Sequence, residues 1–106
     1  MQDVPRNWLR EPLAFGRTMG AALRPADDAF QAADRRASQI QSDLVVSLRA
    51  RMRARRPHIT FKQLAASSEF PYSYDTLSKC TRGQQWMSVR VYAAVLNALD
   101  AEGLHA

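Results

Sequence analysis

The sequence predicts an all-α protein: four to five short helices in a bundle, preceded by an N-terminal helical extension. Two observations carry this. Apolar residues recur at three- and four-residue steps from Phe30 to Met52, the spacing of one helix face. After them, helix-start residues (Thr60, Ser73, Ser88) alternate with helix-stop residues (Pro57, Gly83, Gly103), which cuts the second half into short helices.

Taken in order, residues 1–24 hold Trp8, Leu9, Leu13, Phe15, Met19 and Leu23, the last three at four-residue steps. Pro12, Gly16 and Gly20 work against a long helix there. This segment is expected to be a short helix, or an arm that orders on a partner. Pro25, Asp27 and Asp28 suit a helix start, and a helix is expected from about Ala26 to Arg55, with a break near Ser38 left open. Its stripe is Phe30, Ala33, Ala37, Ile40, Leu44, Leu48 and Met52. The part before Asp43 either packs back on the domain or pairs with another subunit. The domain division follows: 1–37 an extension or arm, 38–106 the main domain.

Arg49, Arg53 and Arg56 flank the stripe on one side, Arg51 and Arg55 on the other. Pro57 ends this helix. Thr60 and Gln63 have capping-box spacing. Phe61, Leu64 and Ala65 form an inner face, and Glu69-Phe70-Pro71 interrupts. Ser68 or Ser73 then caps a helix over about Ser73–Thr81, with Leu77 and Cys80 inward and Tyr74, Asp75, Thr76, Ser78, Lys79 and Arg82 outward. Ser88 caps a final helix carrying Val89, Val91, Tyr92, Val95, Leu96 and Leu99, closed by Gly103.

Charge separates the two parts. The net charge is +5 and hydrophobic residues are 46% of the chain, enough for a core. Residues 1–43 carry six basic and six acidic side chains; residues 44–106 carry nine and four. All the excess sits in the second part, beside a polar, hydroxyl-rich helix. That pairing suits a polyanion, nucleic acid above all. Of 15 basic residues only Lys62 and Lys79 are lysine, a bias that fits a GC-rich bacterial or phage genome.

Other classes are disfavoured. No apolar run approaches the roughly 20 residues of a membrane span, and no secretory signal is expected from MQDVPRNW. The single cysteine excludes an internal disulfide, fits a reducing compartment, and is expected in the core. His58 and His105 are isolated, so no metal site is expected. No catalytic residues, cofactor-binding residues or cofactor are expected, and the protein is not expected to be an enzyme. Trp86 either anchors the third helix to the fourth or touches DNA.

Leu64-Ala65, Tyr74-Asp75-Thr76-Leu77-Ser78-Lys79-Cys80-Thr81-Arg82-Gly83 and Ser88-Val89-Arg90-Val91 through Ala98-Leu99 together resemble the lambda repressor/Cro-like helix-turn-helix family. The resemblance covers about Leu44 to Leu99. Two features depart from it. The SSEFPYS segment has no glycine, which makes Leu64–Leu77 two residues longer than the family pattern. Thr81 stands where an acidic residue is common.

The resemblance implies a compact helix-turn-helix domain over 38–106 whose third helix enters the major groove. Tyr74, Asp75, Thr76 and Lys79 would face base edges. Lysine donates to guanine, a carboxylate accepts from cytosine, and a threonine methyl touches thymine. Ser73, Ser78, Arg82, Thr60, Lys62 and Gln63 would meet phosphates, with Gln84, Gln85, Trp86 and Arg56 as further backbone contacts. The function so implied is a sequence-specific regulator of transcription, a repressor of the phage immunity type, acting on a double-stranded operator in the bacterial cytoplasm or nucleoid. A homodimer through the N-terminal segment would fit paired half-sites. The alternatives are an antitoxin-like or adaptor protein-interaction module, and an architectural nucleic-acid binder.

Overall fold

The computed structural model describes the backbone of residues 4–104 and the side chains of residues 4–101; His105 lies outside the described residues. Within them the chain is helical, with a single isolated bridge between Leu9 and Leu23. Four α-helices follow one another: α1 (Ala29–Ala54), α2 (Phe61–Ala65), α3 (Tyr74–Thr81) and α4 (Val89–Leu104).

Local chemistry sets most of the ends. The Asp28 carboxylate accepts from the Gln31 N–H at 2.8 Å, and the Gln31 side chain accepts from Asp27 N–H at 2.9 Å. This reciprocal cap starts α1 three residues later than expected and leaves Pro25 outside. The helix runs unbroken past Ser38. Thr60 and Gln63 form the capping box, with bonds of 3.1 and 2.9 Å, each cap of this kind contributing about 1 kcal/mol. Ser73, not Ser68, caps α3 by accepting from Thr76 N–H. Gly83 ends it at φ +73°, the left-handed region that glycine reaches without a Cβ penalty. Gly103 lies within the last turn of α4 rather than beyond it.

Residues 4–24 are not a regular helix. They form two 3-10 turns, Pro5–Trp8 and Pro12–Ala14, because Pro12 and the positive-φ glycines Gly16 and Gly20 break any longer run. The segment folds back on its own α1. Trp8, Leu9 and Phe15 are buried, and Leu9 and Phe15 pack with Val45 in a small core. The apolar residues it leaves exposed are Leu13 and Met19.

The larger core joins Leu48 and Met52 of α1, Leu64 of α2, Leu77 of α3 and Val95, Ala98 and Leu99 of α4. Phe70 belongs to it. It anchors the glycine-free connection between α2 and α3, where Phe70 N–H donates to Ser67 C=O at 3.0 Å and Tyr72 meets the Phe70 ring edge-on at 5.8 Å.

The buried face of α1 differs from the expected stripe. Phe30 is 87% exposed and Ile40 52%, and Ala33 and Ala37 are also exposed. The residues turned inward before Val45 are Ser38, Gln41 and Ser42. What packs there is backbone, not side chain. Ser38 donates to Pro5 C=O, and Ser42 Oγ accepts from Gly16 N–H at 2.9 Å. Gln41 Nε2 donates to Cys80 and Gln85 C=O at 2.9 and 3.0 Å, while its Oε1 accepts from Met87 N–H at 3.0 Å. Buried backbone groups need polar partners, so polar side chains win this face over the apolar stripe.

Candidate nucleic-acid interface

The outward side of α3 carries the side chains expected from sequence. Tyr74, Asp75, Lys79 and Arg82 are exposed; Thr76 and Ser78 are half-buried. Leu77, Cys80 and Thr81 are turned inward. Ser73 Oγ is engaged twice, by Thr76 N–H and by Thr76 Oγ1, each at 3.1 Å. Lys79 Nζ lies 3.1 Å from Asp75 Oδ2, an ion pair one helical turn apart with both side chains well exposed. Such a pair contributes only about 0.3–0.5 kcal/mol, so either partner is easily drawn to a stronger charge.

Beside the start of α3 lies an open groove of about 340 Å³, whose lining includes Tyr74, Thr60, Lys62, Phe61, Arg49 and Arg53. Thr60 and Lys62 of the α2 start thus share one hollow with Tyr74 of α3. Lys62 is exposed there, while the Thr60 hydroxyl oxygen and Gln63 amide oxygen serve the capping box.

Arg49 and Arg53 join this groove from α1, on the flank of its apolar stripe. The Arg49 guanidinium sits 5.0 Å from the centre of the Phe61 ring, a cation–π contact that holds its plane. Burial first, and then the charges of Arg17 and Arg53, hold Arg49 below the usual arginine range. Its Nε is buried without a hydrogen-bond partner. The combination marks a crowded cationic edge.

Arg56 and Gln84 stay outside this groove. Arg56 Nη1 donates to the carbonyls of Arg53 and Arg55 at 3.0 and 3.1 Å, and Gln84 is half-buried after α3, its N–H donating to Lys79 C=O at 2.9 Å. Trp86 lines a separate, apolar hollow with Ile40, Leu44, Met87, Val89 and Tyr92. Cys80 is fully buried, and burial pushes its thiol above the ordinary range. Among the described residues there is no cluster of three or more metal-ligating side chains, and no helix is long and apolar enough to cross a membrane.

The arrangement offers hydrogen-bonding side chains on one exposed helix, with arginines and a lysine along its edge. Chemically it can hold phosphates and present donors and acceptors to base edges. Comparison with protein-family models, curated proteins and solved structures finds no match for this chain.

Proposed function

We propose that this protein is a sequence-specific double-stranded DNA-binding regulator of transcription, a repressor of the phage immunity type working in the bacterial cytoplasm or nucleoid. In this reading α3 lies in the major groove, with Tyr74, Asp75, Thr76 and Lys79 toward base edges. Occupying an operator excludes other proteins from it. The observation that carries the reading is the exposed polar face of α3 bordered by Arg49, Arg53 and Lys62. Phosphate contacts orient such a helix and its side chains then specify sequence.

The experiment is a binding selection from random duplex DNA at physiological salt. Recovery of a motif is the expected result, and its form, single site or inverted repeat, gives the stoichiometry. Retention of all sequences alike, with a steep salt dependence, would favour the architectural reading instead. For a homodimer through the N-terminal extension, residues 1–37, the large apolar side chains exposed among the described residues are Leu13, Met19 and Phe30, while Trp8, Leu9 and Phe15 are buried within the chain.

A second reading, an antitoxin-like or adaptor protein-interaction module, draws on a different observation. Ile40 of α1 and Val89 of α4 are exposed and line one apolar hollow with Leu44 and Tyr92, and exposed apolar groups gathered together mark interaction sites. Failure of the selection to enrich any DNA would move this reading to the front.

A further inference from the structure

Residues 1–43 hold as many acids as bases, yet the fold brings two of their arginines, Arg6 and Arg17, beside Arg82 at the end of α3. Asp43 accepts from Gly20 N–H at 3.0 Å, and Glu11 lines another hollow together with Arg10. Arg6 and Arg17 line a pocket of about 100 Å³ with Arg49, Arg82, Phe15 and Thr81, and among the described residues no carboxylate lines it. Among the described residues none of these four arginines is in an ion pair.

The fold fixes the backbone that carries each arginine. The Gly16 N–H bond to Ser42 and the Gly20 N–H bond to Asp43 bracket Arg17 and fasten its loop to α1. Arg6 N–H donates to Gly83 C=O at 2.9 Å, which ties it to the end of α3. Arg82 Nε reaches Ser78 C=O at 3.3 Å. Arg49 belongs to α1 and lines both this pocket and the groove beside Tyr74. The two hollows therefore meet at Arg49, along one edge of α3.

Four like charges around one small pocket repel one another until an anion enters. The guanidinium fork matches phosphate oxygens two at a time. A pocket of this size holds a few waters' worth of volume at ~30 Å³ each, so it takes a single oxyanion group rather than a larger ligand.

We propose that the Arg6–Arg17–Arg49–Arg82 pocket seats a phosphate group, and that the group is a phosphodiester of duplex DNA lying along α3. The first claim stands on the pocket alone; the source of the phosphate rests on the DNA-binding reading. The N-terminal segment then does more than cover α1: it completes the anion site with two of four arginines.

The test follows the arginine Nε–H resonances of the full chain by NMR at constant ionic strength. One titration uses inorganic phosphate, the other a two-turn duplex of arbitrary sequence, on wild type, Arg17→Gln, Arg82→Gln and the remote control Arg36→Gln. Circular dichroism checks that each variant folds. The expected result is that duplex shifts the Arg17, Arg49 and Arg82 resonances. Arg17→Gln and Arg82→Gln each lose roughly threefold to tenfold in duplex affinity, and the salt slope falls by about 0.9 per lost contact. Arg36→Gln binds as wild type. If inorganic phosphate shifts these resonances in wild type but not in Arg17→Gln, and duplex does not bind, the pocket is a free-phosphate site and the DNA reading falls. If duplex binds with these resonances unmoved and both pocket variants unimpaired, the pocket proposal is overturned while the DNA reading stands. No response to either titrant sinks both.

Discussion

The side-chain amide of Gln41 donates to the carbonyl of Cys80 across 2.9 Å, joining the middle of α1 to the last turn of α3. The same amide reaches Gln85 and Met87, so one buried side chain fixes the exit of α3 and the approach to α4 against α1. Gln41→Leu removes three hydrogen bonds and leaves two carbonyls and an N–H without that partner. An unsatisfied buried group costs about 1–3 kcal/mol, so a loss of roughly 3 kcal/mol or more is expected. Urea unfolding measures it. A change under about 1 kcal/mol would show that water replaces the amide at little cost.

The rotation of α1 makes a paired prediction. Phe30→Ser and Ile40→Ser, on the exposed side, should change stability by no more than about 0.5 kcal/mol. Leu48→Ala, in the larger core, should cost about 2–5 kcal/mol. Equal losses at Ile40 and Leu48 would mean that the apolar stripe, not the polar face, is buried in solution.

Lys79 and Asp75 neutralise each other on the free helix. Lys79→Ala should therefore cost under about 0.5 kcal/mol of stability, while weakening a selected operator more than unrelated duplex. Equal weakening on both removes Lys79 as a base reader. Asp75→Asn lifts a charge that repels phosphate and should tighten unrelated duplex, read as a lower Kd in fluorescence anisotropy.

Cys80 supplies a pH dependence. Its thiol is pushed above its ordinary value by burial, whereas the unfolded chain ionises at that ordinary value. Between the two, the folded state binds more protons than the unfolded one, so stability falls as pH rises through the window. The contribution is present in full below the ordinary thiol range. Urea midpoints taken from neutral to alkaline pH should decline more steeply in wild type than in Cys80→Ala. A thiol reagent should modify Cys80 slowly until urea unfolds the chain; equally fast modification of the folded protein would contradict its burial.

What was legible in the sequence is local. The Thr60–Gln63 capping box, the Gly83 stop and the inward Leu77 and Cys80 all depend on residues within a turn of one another, and the structure has them where that spacing puts them; the serine cap of α3, open between Ser68 and Ser73 in the sequence, is Ser73. The outward set on α3 follows from the same periodicity. The position of Arg6 and Arg17 beside Arg82 does not, since it depends on where residues 4–24 fold back.

The sequence by itself determined an all-α chain, the caps that divide its second half into short helices, and the polar face of α3. Only the tertiary structure decided which face of α1 is buried and which cations gather beside α3. The reason is the reach of the interactions. A cap closes within three or four residues, and its partners can be read side by side. Gln41, Ser38 and Ser42 answer backbone groups more than twenty residues away, and no hydrophobic periodicity within α1 records the polar groups that will be brought against it.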